Sequence, residues 1–278
     1  MIAIGKTCTL PVLKIVDFGV YLDAQELGEI LLPKRRCPDQ LDVGDDIEVF
    51  LYLDSEDRPV ATTQKPKAEV EQFAYLKVVD ITDIGAFLDW GLDKDLFVPF
   101  REQHRQMELD KSYIVYVHIN PADGRIMASS KIERFLDDER PHDFKPRQPV
   151  DLIIANSTEL GYKAIVNHSH WGVLYKDEVF QRLSYGQYKK GFIKKIRDDG
   201  KIDLTLQGGQ QTRDKNAKMI LIYLQKQGGF APLHDKSDPA LISRLFGMSK
   251  NAFKKTIGGL YKQRIISIDK DGIRLLEK

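Results

Sequence analysis

The sequence predicts a mostly β chain: three small five-stranded barrels in tandem, then a C-terminal α+β module. Three observations lead there. One glycine-anchored strand pattern occurs three times, its glycines 66 and 76 residues apart. Each occurrence closes with a short apolar strand led by Arg or Lys. Beyond about Arg213 the apolar period lengthens from two residues to between three and four.

The first repeat opens with a strand from Thr9 to Val16, followed by Asp17-Phe18-Gly19-Val20-Tyr21-Leu22. The second opens at Ala74–Asp80 and continues as Asp83-Ile84-Gly85-Ala86-Phe87-Leu88. The third opens at Asp151–Ala155, then Glu159-Leu160-Gly161-Tyr162-Lys163-Ala164. A glycine at the start of the second strand suits a barrel corner, where the backbone bends sharply. The closing strands are Arg58–Thr62, Arg125–Ser129 and Lys201–Thr205. Asp123-Gly124 and Asp199-Gly200 precede two of them and predict tight hairpins with both central residues at positive φ. Gly191–Ile196 is the partner strand in the third repeat. Five strands in some 65 residues is the size of an OB-type barrel, a fold used to bind oligonucleotides. The expected domains are 1–66, 67–144, 145–212 and 213–278, joined by short Pro-containing linkers that limit swinging.

In the last domain, Lys218–Gln225 has a helical pattern that Gly228-Gly229 stops. Ser237 or Asp238 can cap a second helix with Pro239 at its first position, burying Leu241, Ile242 and Leu245. Gly247 makes the turn and Ser249 caps a third helix, whose Phe253, Ile257 and Leu260 share one face. A hairpin, Ile265–Ile268 and Ile273–Leu276 around Asp271-Gly272, completes a winged helix-turn-helix.

Composition bounds the function. Hydrophobic residues make up 42% and charged residues 30%, as in a globular chain. No window approaches the roughly 18 apolar residues of a transmembrane helix, and Met1–Val12 lacks the apolar core of a secretory signal. Cys8 and Cys37 are too few for a disulfide framework, so a reducing cytoplasm is expected. The net charge of +1 hides an asymmetry. Residues 1–144 carry 17 Lys/Arg against 28 Asp/Glu, and residues 145–278 carry 25 against 13. Such a split points to a polyanionic partner on the basic half, a nucleic acid rather than a membrane. Nucleotide-binding glycine motifs, the paired-His zinc motif and Cys-x-x-Cys are all missing, so neither catalysis nor a cofactor is expected.

The candidate contacts follow that charge. Lys189, Lys190, Lys194, Lys195 and Arg197 form the densest basic run, with Lys195 and Arg197 expected on the same strand face as Ile193. Lys163 alternates with Tyr162 and Ala164 and is expected to face out. Trp171 and Tyr175 stand near it, with Tyr175 pointing away from Leu174. Lys250, Lys254 and Lys255 lie on the third helix of the tail, off its apolar face.

The repeats resemble the S1-type RNA-binding domain through the Asp17–Leu22 and Asp83–Leu88 elements, Val43-Gly44-Asp45-Asp46-Ile47-Glu48-Val49 and the basic-led closing strands. Three such repeats before a winged helix resemble the conserved virulence factor B family. That resemblance implies an RNA-binding regulator without known catalysis. It also implies stacking positions: Phe18 and Tyr21 in the first repeat, Phe87 in the second. The His that ends strand three of S1-type domains is matched here to Leu32, Val98 and Tyr175. The expected partner is single-stranded RNA, met mainly by the third barrel and the winged helix. A DNA-binding transcription regulator and a scaffold docking on ribosomes or RNA-processing enzymes remain open as alternatives. The sequence leaves the oligomeric state undefined.

Overall fold

The computed structural model describes residues 2–136, 141–179, 181–206 and 209–276, the stretch 209–213 by its backbone alone. The chain divides into two compact units, 1–136 and 137–278. In the first, β1 (Thr7–Val16), β2 (Gly19–Asp23), β3 (Glu29–Pro33), β4 (Asp46–Leu53) and β5 (Pro59–Thr62) close into a barrel in the order β1-β2-β3-β5-β4. Next, β6 (Phe73–Ile81), β7 (Gly85–Asp89), β8 (Leu96–Pro99), β9 (Ser112–Ile119) and β10 (Ile126–Ser129) form a sheet in the order β10-β9-β6-β7-β8. In the second unit, β11 (Pro149–Ser157), β12 (Gly161–Val166), β13 (His170–Tyr175), β14 (Tyr188–Ile196) and β15 (Ile202–Thr205) form a closed barrel with the topology of the first.

Each barrel is built by the same devices. The first strand is long and pairs with both the second and the fourth. It is interrupted at one equivalent place, between Val12 and Lys14, Val78 and Asp80, and Ile154 and Asn156. A bulge there bends the strand and increases its twist, so one strand can serve two sides of a small barrel. The repeated glycine marks a close backbone crossing. A Cβ on Gly19 would lie 2.2 Å from the Leu32 carbonyl oxygen, on Gly85 2.4 Å from that of Val98, and on Gly161 2.1 Å from that of Leu174. Only a residue without a side chain lets the second and third strands approach so closely.

The registers Gly19↔Pro33, Gly85↔Pro99 and Gly161↔Tyr175 correct the expected strand-three match. Tyr175 is equivalent to Pro33 and Pro99. Leu32 and Val98 are equivalent to Leu174, and all three point into their barrels, at most 1% exposed. The match slipped by one residue in the first two repeats, and a one-residue slip exchanges inside for outside.

The Asp-Gly hairpins also differ from expectation. Gly124 and Gly200 have φ of 72° and 78°, but neither Asp123 nor Asp199 is left-handed. The chain makes longer loops, closed by Asn120 N–H donating to Arg125 O at 2.8 Å and Arg197 N–H to Lys201 O at 2.9 Å. Three- and four-residue loops need only one left-handed residue, which glycine supplies.

The first two barrels are welded together. Phe50 of the first joins the core of the second, with its ring 5.7 Å from that of Trp90. Lys94 Nζ donates to the carbonyls of Leu53 and Asp54 at 3.1 and 2.9 Å, and Arg125 grips the Asp57 carboxylate with two donors. In the linker, Lys67 N–H donates to Trp90 O at 2.7 Å. Cys8 and Cys37 are free thiols whose pKa burial raises.

The tail holds α1 (Gly209–Lys226), β16 (Phe230–Ala231), α2 (Pro239–Phe246), α3 (Lys250–Lys262), β17 (Ile266–Ile268) and β18 (Ile273–Leu275). The helix α1 starts about two turns earlier than its apolar pattern predicts. Asp238 caps α2 by accepting from Ala240 N–H, and Ser249 caps α3 by accepting from Ala252 N–H, both at 3.0 Å. Gly247 ends α2 in the left-handed conformation. Ile242 and Phe246 are buried, with Leu241 and Leu245 at the core's edge rather than inside it. The expected hairpin gains a third strand, β16, against β18. Among the described residues no helix is long and apolar enough to cross a membrane.

Candidate nucleic-acid interface

The outer faces of the barrels are built from equivalent positions with different chemistry. The residue before the anchoring glycine is exposed in all three: Phe18 and Ile84 at 58%, Leu160 at 57%. Two residues after the glycine stand Tyr21, Phe87 and Lys163, opposite Leu31, Phe97 and Val173 on strand three.

In the first barrel Phe18 meets Tyr21 edge-on, ring centres 6.3 Å apart. The Lys14 ammonium sits 4.5 Å from the Tyr21 ring centre and pairs with Glu29. One face of Tyr21 is thus already occupied. In the second barrel Phe87 and Phe97 form a tilted pair 5.1 Å apart, beside exposed Ile81, Ile84 and Phe100. This is the best stacking surface of the three, and Phe97 was not singled out from sequence. Its position directly opposite Phe87 across the strand pair was the available signal. The setting is acidic. Burial raises the pKa of Asp95, and the charges of Asp89 and Asp80 raise it further, while Asp89 is itself paired with Lys67 at 2.6 Å.

In the third barrel Tyr175 is half-buried. Its hydroxyl donates to Asp203 Oδ1 at 3.2 Å and accepts from Arg197. Arg197 Nε donates to the same carboxylate at 2.8 Å, and the Asp203 side chain, 12% exposed, holds both. This hydrogen bond is the chief reason the Arg197 pKa is raised. Lys194 lies 5.4 Å from the Tyr175 ring centre and pairs with Glu178. Asp203 escaped the sequence reading because a single Asp in a closing strand carries no pattern.

Trp171 is a correction. It is 6% exposed, and the Lys163 ammonium stands 3.8 Å from its ring centre, so its face is not available to a base. The expected grouping of Lys195 and Arg197 with Ile193 is a second correction. A bulge between Ile193 and Lys195 shifts the register, so Ile193 and Ile196 pack on the core while Lys194 and Lys195 are exposed. Arg197 turns to the outer Asp203. All three basic groups therefore leave the core side. Lys189 is half-buried, and exposed Lys190 pairs with Asp151 at 2.5 Å.

On α3, Lys254 and Lys255 are exposed and Lys250 is half-buried. Lys254 pairs with Asp235 at 3.5 Å. Gly258 lies between them and Lys262 on the exposed side, and a Cβ there would meet nothing within 4 Å. Among the described residues no group of three or more His, Cys, Asp or Glu could hold a metal ion.

Residues 4–64 match the family described as the S1 domain, and residues 218–275 the CvfB-like winged helix domain. The YitL protein of Bacillus subtilis (strain 168) is 29% identical over 272 residues, 93% of this chain and 89% of that one. Conserved virulence factor B of Staphylococcus aureus (strain N315) is 28% identical over 255 residues, 86% of this chain and 82% of its own. A solved Streptococcus pneumoniae TIGR4 structure, described as a multidomain protein with nucleic acid binding domains, is 26% identical and covers 98% of each chain at a TM-score of 0.42. The resemblance to conserved virulence factor B is borne out by the sequence matches. Neither matched domain is a catalytic family, and both support a nucleic-acid-binding role.

Proposed function

We propose that this chain is a cytoplasmic, non-catalytic regulator of gene expression that binds single-stranded RNA mainly through the third barrel, with α3 as a second contact. The observation that carries the reading is the pairing of aromatics with basic groups on that barrel. Tyr188, 54% exposed, is followed directly by Lys189 and Lys190, and half-buried Tyr175 has Lys194 and Arg197 at 5.4 and 5.9 Å from its ring centre, cations that a phosphate beside the ring could meet. Phosphate neutralisation supplies most non-specific affinity, and each stacked base adds about 1–3 kcal/mol. The second barrel has the better aromatic pair but crowds it with carboxylates, which repel a polyanion. The exposed lysines of α3 also support a second reading, a helix presented to a duplex groove.

The test is the affinity of the full chain for single-stranded RNA, single-stranded DNA and duplex DNA across a salt series. The proposal expects single strands to be preferred, with a steep fall as salt rises and little dependence on base identity. Tighter binding to duplex DNA at every salt would favour the α3 reading instead.

A further inference from the structure

The outer face of the second barrel has no part in the RNA contacts proposed above. Phe87 and Phe97 point outward, because their strand neighbours Ala86, Leu88, Leu96 and Val98 fill the interior and are at most 1% exposed. The two half-buried rings stand 5.1 Å apart. Among the described residues no cation stands over either ring, in contrast to Tyr21 and Trp171. At the glycine end of the same strand pair, Ile84 and Phe100 are 58% and 43% exposed, joined by Phe100 N–H donating to Ile84 O at 3.4 Å. Exposed apolar groups clustered in this way mark contact surfaces.

The opposite end of the strand pair is acidic. Asp89 ends β7, and Asp95 stands across from it just before β8, since Leu88 pairs with Leu96. Asp80 pairs with Phe87 from the other side. The cations nearby are already engaged: Lys67 holds Asp89 at 2.6 Å, and Lys77 holds Asp110 at 2.7 Å. Asp80 Oδ1 accepts from Ile81 N–H at 2.8 Å. Among the described residues the Asp95 carboxylate has neither an ion pair nor a hydrogen bond. Burial raises its pKa first, and the charges of Asp89 and Asp80 add to the rise. A carboxylate partly withdrawn from water, beside two others and without a partner, gains from a cation brought to it.

We propose that this face docks a basic segment of a protein partner, with an arginine or lysine side chain lying across Phe87 and Phe97, its cation toward Asp80 and Asp95, and a nearby apolar side chain of the same segment on Ile84 and Phe100. An aromatic face attracts a cation within about 6 Å of its centre, and a guanidinium also donates to carboxylates in its own plane. Apolar, aromatic and acidic groups follow one another along β7, which from Gly85 to Asp89 runs about 13 Å, the reach of roughly four extended residues. A nucleic acid suits the rings but brings its phosphates to the carboxylates, where like charges repel. None of the third-barrel residues proposed to meet RNA is involved.

The experiment measures binding of a short labelled peptide to the full chain. Leucine and arginine take turns at every second position of the peptide, with serine between them, so that both face one side when it is extended. The wild type is expected to bind it, and to bind the same peptide with glutamate in place of arginine far less. Phe87→Ala/Phe97→Ala is expected to weaken binding by about fivefold or more. Asp80→Asn/Asp95→Asn is expected to weaken it by about as much at low salt, with a deficit that shrinks as salt rises. Thermal melting in parallel checks folding. The asparagine variant removes a partly buried charge and is expected to melt no lower than the wild type, so it carries the test if the alanine variant fails to fold. If the wild type does not bind the arginine peptide, or a folded variant binds it equally well, the docking face is overturned. If the wild type self-associates and folded Phe87→Ala/Phe97→Ala does not, the face meets a second copy of this chain and the partner segment is overturned.

Discussion

The second and third barrels share a topology, a bulge and an anchoring glycine, yet present opposite chemistry. On the second, Phe87 and Phe97 stack beside Asp80, Asp89 and Asp95. On the third, Lys163 covers Trp171, and Tyr175 is wired to Arg197 through Asp203. The comparison separates two kinds of constraint. Positions that let backbones cross are fixed by sterics and recur in each repeat. Positions on the outer face are set by what they must meet, and they differ. Under the proposed reading, RNA meets the third barrel because exposed basic groups accompany its aromatics there, whereas the second barrel's aromatic pair stands among carboxylates.

The largest effects should come from the shared frame. Gly85→Val and Gly161→Val each drive a side chain into a carbonyl oxygen 2.4 and 2.1 Å away. Each should cost about 3 kcal/mol or more, read as a lowered midpoint in urea unfolding. A variant that stayed as stable as wild type would show that the strands need not approach so closely. Next in size is the register. Leu174→Ala should destabilise by about 2–5 kcal/mol, whereas Tyr175→Ala should cost clearly less, because only Leu174 fills the interior. Equal losses in the same unfolding experiment would mean that Tyr175 is also core.

A smaller effect sharpens the chemical side of the comparison. Tyr175→Ala should weaken RNA binding by about 1–3 kcal/mol at both low and high salt, since stacking is little screened. Lys195→Glu should also weaken binding, with a deficit that shrinks as salt rises. Matching salt profiles for the two variants would contradict the separation of stacking from field. The smallest effect distinguishes two uses of glycine. Gly258→Ala fills empty space in the interior of α3 and should stabilise the chain by about 0.5–1 kcal/mol in a thermal melt, the reverse of Gly161→Val.

The frame was legible because it repeats. Three glycine-anchored strand pairs and their closing strands identify three barrels, and the caps at Asp238 and Ser249 with the Phe253, Ile257 and Leu260 stripe identify the winged helix. What escaped depends on register or on a partner far along the chain. Val79, Ala155 and Lys194 sit where ladders slip, and no local pattern marks a bulge. The left-handed Asn167-His168 turn lacks the glycine that usually announces one, while Asp123-Gly124 and Asp199-Gly200 announced a two-residue turn where the chain makes a longer loop. Asp203 acquires its role only when β15 brings it beside Tyr175 and Arg197. The two-residue strand β16 is too short to show alternation. Charge by halves set the expectation of a polyanion on the basic half, but it could not show that Trp171 is covered or that Phe97 completes an aromatic pair.

The central claim is that RNA meets the basic face of the third barrel rather than the aromatic face of the second. Its most direct measurement compares two full-chain variants for single-stranded RNA affinity at about 0.1 M salt, where surface charges still act over roughly 10 Å. The charge-reversed Lys189→Glu/Lys190→Glu/Lys195→Glu variant should lose at least about tenfold, or 1.4 kcal/mol, while Phe87→Ala/Phe97→Ala should stay within about twofold of wild type. A large loss on removing the phenylalanines, with the charge-reversed chain binding normally, would contradict the account.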